Sequence, residues 1–353
     1  MSSTIGNRIR LTLSGASHTK LMTATLDGLA SGIEIDRDYI DKILAERRPN
    51  TIGSSARREA DDYEIISGVF NGFTTGAALT ILMKNADVDS SSYEKTKDLA
   101  RPSQADYPAF IKYKGFNDYR GSGIFSARLT APVCAAAAII LKELEKEGIT
   151  FETHLKRVGK FIDEASGEEF LSKKYHMHKY SDDEIEKYLD EIKNENDSVG
   201  AEVELIIKGV KEGLGEPPFN PLDGELARYM YLIPSVKSVS FGDGYDFAQS
   251  LGSEVADEMR VDAGKVKFLK NTNGGIIGGI SNGADIALNL VFKPIASISS
   301  EFKTINMKTM ENAEIKISGR HDASVVPRVY PIMKCYAALA IYDMLVSAWI
   351  SLS

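Results

Sequence analysis

Asp118-Tyr119-Arg120-Gly121-Ser122-Gly123-Ile124-Phe125-Ser126-Ala127-Arg128 runs straight into a segment where Leu129, Val133, Ala136, Ala137, Ile140, Leu141 and Leu144 return at three- and four-residue steps. That spacing gathers apolar side chains on one side of an α-helix and predicts a helix over residues 126–147. Gly148 follows, where a helix end needs a residue at ease with left-handed backbone. The three small residues Gly121, Ser122 and Gly123 suit a backbone-lined anion site ahead of the helix, and equally a structural turn.

Strands flank this helix in the chain. Val203, Leu205 and Ile207 alternate with Glu204 and Lys208, and Ile286, Leu288, Leu290 and Phe292 stand opposite Asp285 and Asn289. Leu79 to Met83 is a short apolar run. Residues 39–47 and 222–232 read as further helices, the first capped by Asp36. Residues 159–198 read as an exposed polar excursion, with Ser181 capping a helix over 182–193. Helices and strands mixed in this way give an α/β or α+β class. No low-complexity linker divides the chain, so residues 1–353 are expected to form one domain.

Of the 353 residues, 43% are hydrophobic and 26% charged, which suits an ordinary globular core. The formal charge of −8 argues against nucleic acid as a partner, while leaving room for a local basic pocket. The two cysteines, Cys134 and Cys335, lie in apolar runs and read as buried small hydrophobes in a reducing cytoplasm. The longest apolar stretch, Cys335 to Leu352, is interrupted by Asp343, so a packed C-terminal helix is expected and no membrane anchor. His176-Met177-His178 lacks a third ligand nearby, and no metal is assigned.

Four segments are too particular for plain core. Ser14-Gly15-Ala16-Ser17-His18, read with a helix after it through Leu21, Leu26 and Leu29, places a histidine at a strand-to-helix junction, as general acid or as cap. Arg47-Arg48-Pro49 and Arg57-Arg58-Glu59 concentrate guanidiniums around a small-residue loop, for carboxylates and phosphate or as a solvated loop. Arg101-Pro102-Ser103-Gln104-Ala105-Asp106 precedes the opening stretch. Last come the glycine-rich residues 271–283, Lys293-Pro294 and Gly319-Arg320-His321-Asp322, a candidate charged site or an exposed turn. The glycine spacing is not a dinucleotide fingerprint.

In this order, and with Glu64-Ile65-Ile66-Ser67-Gly68-Val69-Phe70, Glu195-Asn196-Asp197-Ser198-Val199-Gly200, Gly213-Leu214-Gly215-Glu216-Pro217 and Phe241-Gly242-Asp243-Gly244 between them, the segments resemble the chorismate synthase family over residues 10–345. The resemblance implies a β-α-β sandwich, a homotetramer, and reduced FMN as cofactor. It implies a lyase of the shikimate pathway, which serves aromatic amino acid biosynthesis. The reaction is 1,4-anti elimination of phosphate and a ring proton from 5-enolpyruvylshikimate 3-phosphate. The substrate's phosphate and two carboxylates call for fixed cations, and Arg47, Arg48, Arg58, Arg128 and Arg328 fall at or beside the family's arginines. His18 matches the histidine that protonates the departing phosphate, and Asp322 the aspartate that works with the flavin on the ring proton. Ser126, Gly278, Lys293, Pro294, Ile295, Ala296, Ser297 and Arg320 fall on flavin-contacting positions.

The departures cluster in the same places. Gln104 stands where the family has a second catalytic histidine; it hydrogen-bonds but does not titrate. Ile124 and Phe125 replace an arginine and a serine of the flavin site, and residues 50–54 are one residue short and lack an arginine. Two readings follow: an enzyme with weakened or altered flavin handling, or a paralogue that kept the fold and binds a ligand without the reaction. NADPH enters only if the protein reduces its own flavin, and the shortened loop argues against that.

Overall fold

Two antiparallel five-stranded sheets enclose a layer of helices. The computed structural model describes residues 2–48, 61–85, 91–94, 96–164, 169–317 and 322–352. The first sheet runs Thr4–Ile5, Arg10–Ser14, Leu21–Asp27, Leu79–Lys84, Tyr63–Ser67; the second runs Val236–Phe241, Ile286–Phe292, Ala201–Lys208, Thr150–Val158, Phe161–Ile162. The two alternating strands legible in the sequence are direct partners: Val203 faces Leu290, Leu205 faces Leu288 and Ile207 faces Ile286. Their apolar faces meet the helices, as a one-sided sheet requires.

Helix Thr130–Lys146 lies on strands Leu21–Asp27 and Leu79–Lys84, and its other side packs on Val329–Leu352. Val329–Leu352 in turn reaches Thr150–Val158 of the second sheet, beside Leu222–Met230. Sheet, helices, sheet is the β-α-β sandwich of the α/β class expected. Every residue from Ala131 to Leu141 is buried, because a helix between two sheets has no solvent face. Val329–Ala348 is long and apolar enough to cross a membrane, yet 83% of its apolar window is buried within the protein. Its Asp343 accepts backbone N–H bonds from Asn7 (2.8 Å), Arg8 (2.7 Å) and Ile9 (2.8 Å), which explains a carboxylate in a core helix. Cys134 and Cys335 are both free and buried, the Cys335 sulfur 3.8 Å from the Cys134 carbonyl.

Two sequence expectations are corrected. The segment after His18 is the strand Leu21–Asp27, not a helix. Met22, Ala24 and Leu26 are buried while Thr23 and Thr25 between them are partly exposed, a period of two that the leucine spacing had masked. The excursion is not simply exposed. Its helix Asp182–Asn194 has the Ser181 cap, completed as a capping box by Glu184. But Tyr175, Met177, Ile185 and Leu189 are buried in the main core. His176 stacks on Tyr330 at 4.8 Å, with Nδ1 2.9 Å from both Thr153 oxygens. Burial, then Lys334, pushes its pKa down to about 4.

Candidate active site

His18 sits in the turn between strands Arg10–Ser14 and Leu21–Asp27, so no helix N-terminus follows it. Its ring is 8% exposed and is held on three sides. Ser17 Oγ lies 3.1 Å from Nδ1 and reaches the carbonyls of Gly121 (2.8 Å) and Arg120 (3.1 Å). Tyr93 meets the ring edge-on, centroids 5.2 Å apart. Gly121 forms the remaining wall: a Cβ there would lie 2.0 Å from His18 Cε1, and its φ of +54° is left-handed. The small-residue run of the opening stretch is therefore the surface on which the histidine rests.

The arginines come together around a residue the sequence did not single out. Asp61 is 3% exposed. One oxygen contacts Arg47 Nη2 at 2.7 Å and the other contacts Arg128 Nη1 directly. Arg47 ends helix Arg37–Arg47, and Arg128 stands in the turn before Thr130–Lys146. Burial alone would raise the Asp61 carboxyl, but Arg47 and Arg128 outweigh it and hold it below the ordinary carboxylate range. Arg328 donates to the Arg47 carbonyl (3.2 Å) and to Asp322 (2.6 Å). Asn85 receives Arg128 Nε at 3.4 Å and donates to the Ala16 and Thr19 carbonyls at 3.2 and 2.7 Å. Hydrogen bonds thus run from Asp322 through Arg328, Arg47, Asp61, Arg128 and Asn85 to the His18 turn. Three guanidiniums against two carboxylates leave this chain of contacts positive, as an anionic substrate requires. Arg48 follows Arg47 and is half-buried, its N–H bonded to the Ala45 carbonyl at 3.1 Å.

A second group adjoins the first. Gln104 Nε2 donates to Ser297 Oγ at 2.7 Å, and Lys293 Nζ donates to the Ser103 carbonyl. Ser198 Oγ holds the Ile295 carbonyl at 2.7 Å, so Lys293, Pro294, Ile295, Ala296 and Ser297 form one anchored segment. Partial burial, then Lys237, lowers the Lys293 pKa. Arg101, paired twice with Asp106 (2.7 and 2.8 Å), reaches Ser122 Oγ at 3.3 Å and ties this group to the Gly121 turn. Just beyond, Ile124 and Phe125 are 52% and 44% exposed. Ser126 Oγ is turned inward, accepting the Arg128 N–H at 3.3 Å. A cation, a hydroxyl and an amide gathered in this way can hold an anionic group.

Of the predicted site residues, Asp322, Arg328 and Arg47 are joined by direct contacts, Asp61 links Arg47 to Arg128, and Asn85 links Arg128 to the turn that carries His18; Lys293 to Ser297 stand with Gln104. Gly278 lies at the tip of the hairpin Ile276–Ile277 and Ile280–Ser281, which packs near Pro221. Arg58, Arg320 and the loop 50–54 lie outside the described residues. Asp61, Asn85 and Ser17 were missed as site residues, while Gly121, expected in an anion site or a turn, forms a wall of His18. The acidic pair Asp61-Asp62 just after the arginine-rich loop was the available signal for the first.

A family model described as chorismate synthase matches residues 9–346. A chorismate synthase of Korarchaeum cryptofilum is 39% identical over 345 residues, spanning 96% of each chain. One of Pyrococcus abyssi is 41% identical over 347 residues, again spanning 96% of each. A solved structure titled "Crystal Structure of Chorismate Synthase" superposes with a TM-score of 0.75 at 25% identity, covering 98% of this chain and 93% of that one. With motifs, fold and relatives in agreement over nearly its whole length, the chain belongs to the chorismate synthase family.

Proposed function

We propose that this protein eliminates phosphate from 5-enolpyruvylshikimate 3-phosphate to form chorismate, with reduced FMN bound beside the substrate. The observation that carries the reading is the positively charged chain of contacts that ends on the turn carrying His18 at one side and on Asp322 at the other. Full-length relatives named chorismate synthase support it, and nothing favours the reading of a ligand-binding paralogue.

Arg47, Arg128 and Arg328, with Arg48 beside them, bind the phosphate and carboxylates; a guanidinium meets such groups with paired donors. His18, wedged between Gly121 and Tyr93, delivers a proton to the departing phosphate, which is a far poorer leaving group unprotonated. Asp322, oriented by Arg328, serves the removal of the ring proton on the other side. Lys293, Ser297 and Gln104 would hold the flavin, and the exposed Ile124 and Phe125 would offer it apolar surface; Gln104 would orient it without exchanging a proton. The chemistry that reduced FMN would supply here is transient electron donation with no net redox change. The homotetramer rests on the family resemblance, and exposed Phe70, Phe219 and Tyr245 offer apolar side chains to subunit contacts. Two free buried thiols suit the cytoplasm, where we place the protein.

Flavin fluorescence titration tests the cofactor assignment: saturable quenching is expected, and its absence contradicts it. Anaerobic turnover of the phosphorylated substrate tests the reaction.

A further inference from the structure

We infer that Asp61 is a positioning residue for the elimination: it sets the spacing of Arg47 and Arg128 and thereby the seat of the substrate's leaving phosphate. The inference rests on the reaction proposed above.

Two guanidiniums as deeply buried as Arg47 and Arg128, 4% and 7% exposed, repel each other and draw together only around an anion. Asp61 supplies that anion, one oxygen to each arginine. Its backbone holds φ of +53°, which aspartate and asparagine tolerate better than most residues, so the carboxylate is delivered by a turn built for it. Arg47 keeps an unused donor. Arg47 Nε is buried without a partner, an orphan that a bound phosphate oxygen would satisfy. Asp61 therefore does two opposing things. It fixes both arginines where the phosphate must sit, and it cancels one of their charges, so that phosphate is held less tightly and leaves once cleaved.

This predicts a signature that a general loss of structure does not produce. In Asp61→Asn the amide nitrogen faces a guanidinium, one contact is lost, and the pocket gains a net positive charge. Turnover is expected to fall about 10–100-fold through misplacement of the phosphate. Inorganic phosphate, as a competitive inhibitor, is expected to bind about 3–10-fold more tightly, with a steeper salt dependence. Asp61→Gly, whose residue favours the same backbone angle, is the second variant and should behave alike.

The experiment measures kcat, KM and inorganic phosphate inhibition on wild-type protein and both variants under anaerobic, reduced-flavin conditions, with near-ultraviolet circular dichroism to confirm folding. Wild-type turnover is the separate check on the reaction itself. If the wild type is active and a folded variant turns over within twofold of it, the inference fails. It fails too if kcat falls while phosphate inhibition is unchanged or weaker, since that is the mark of a structural lesion. If neither variant folds even in high phosphate, which would replace the missing anion between the arginines, Asp61 is a stability residue and the inference is overturned.

Discussion

Gly121→Ala places one methyl group against His18. The new Cβ would stand 2.0 Å from Cε1, 2.1 Å from Nδ1 and 2.7 Å from Ser17 Oγ, where ordinary contact begins near 3.4 Å. The imidazole must withdraw by well over an ångström, and Tyr93 already closes its edge. A displacement of about 1 Å at a reacting group costs on the order of 100-fold in rate. The left-handed φ of +54° adds about 1–2 kcal/mol of backbone strain for any L side chain. The variant is therefore expected to lose roughly 2–4 kcal/mol of stability, overpacking included, and at least about 100-fold in kcat. Chorismate formation followed by absorbance, with reduced FMN in excess and unfolding followed by urea titration, reads both. A folded variant with kcat within threefold of wild type would refute the placement of His18 as the proton donor.

Three other outcomes are expected. Gln104→His puts a titratable group beside Ser297 and should raise chorismate formation about tenfold near neutral pH; an unchanged rate would locate the limitation at Ile124 and Phe125 instead. Asp343→Ala leaves one buried and two partly buried N–H groups without their acceptor, costing about 2–4 kcal/mol in urea unfolding; a loss below 1 kcal/mol would contradict the anchoring role. His176 titrates near 4 in the fold against an ordinary 6.5. Because the unfolded chain takes up the proton first, its stability is complete above pH 6.5 and declines by roughly 2–3 kcal/mol down to pH 4. His176→Asn, tolerated at its φ of +50°, should remove that slope from a pH series of urea titrations, and an unaltered slope would count against the assignment.

What could be read from the sequence was local or carried by motifs. The helix ahead of Gly148, the Ser181 cap and the paired strands Ala201–Lys208 and Ile286–Phe292 all announce themselves by period or end signal. The misread strand after His18 shows the limit: three leucines suggested a helix, while the deciding alternation ran through methionine, alanine and threonine. The excursion misled for a related reason. Its charges dominate the composition, but four apolar side chains anchor it to the core. Within the site, the family's arginines were legible one at a time. Their common partner was not, because Asp61, just before strand Tyr63–Ser67, and Arg128 are 67 residues apart and only the packing of helix Thr130–Lys146 on the first sheet brings them together. Gly121 reads as a turn until His18, more than a hundred residues earlier, is seen lying on it.

The most direct test of the account is one anaerobic assay: purified protein, chemically reduced FMN and 5-enolpyruvylshikimate 3-phosphate, with chorismate and inorganic phosphate both quantified. The account predicts the two products in equal amounts, catalytically, with the flavin still reduced at the end. No chorismate from folded, flavin-saturated protein would contradict it.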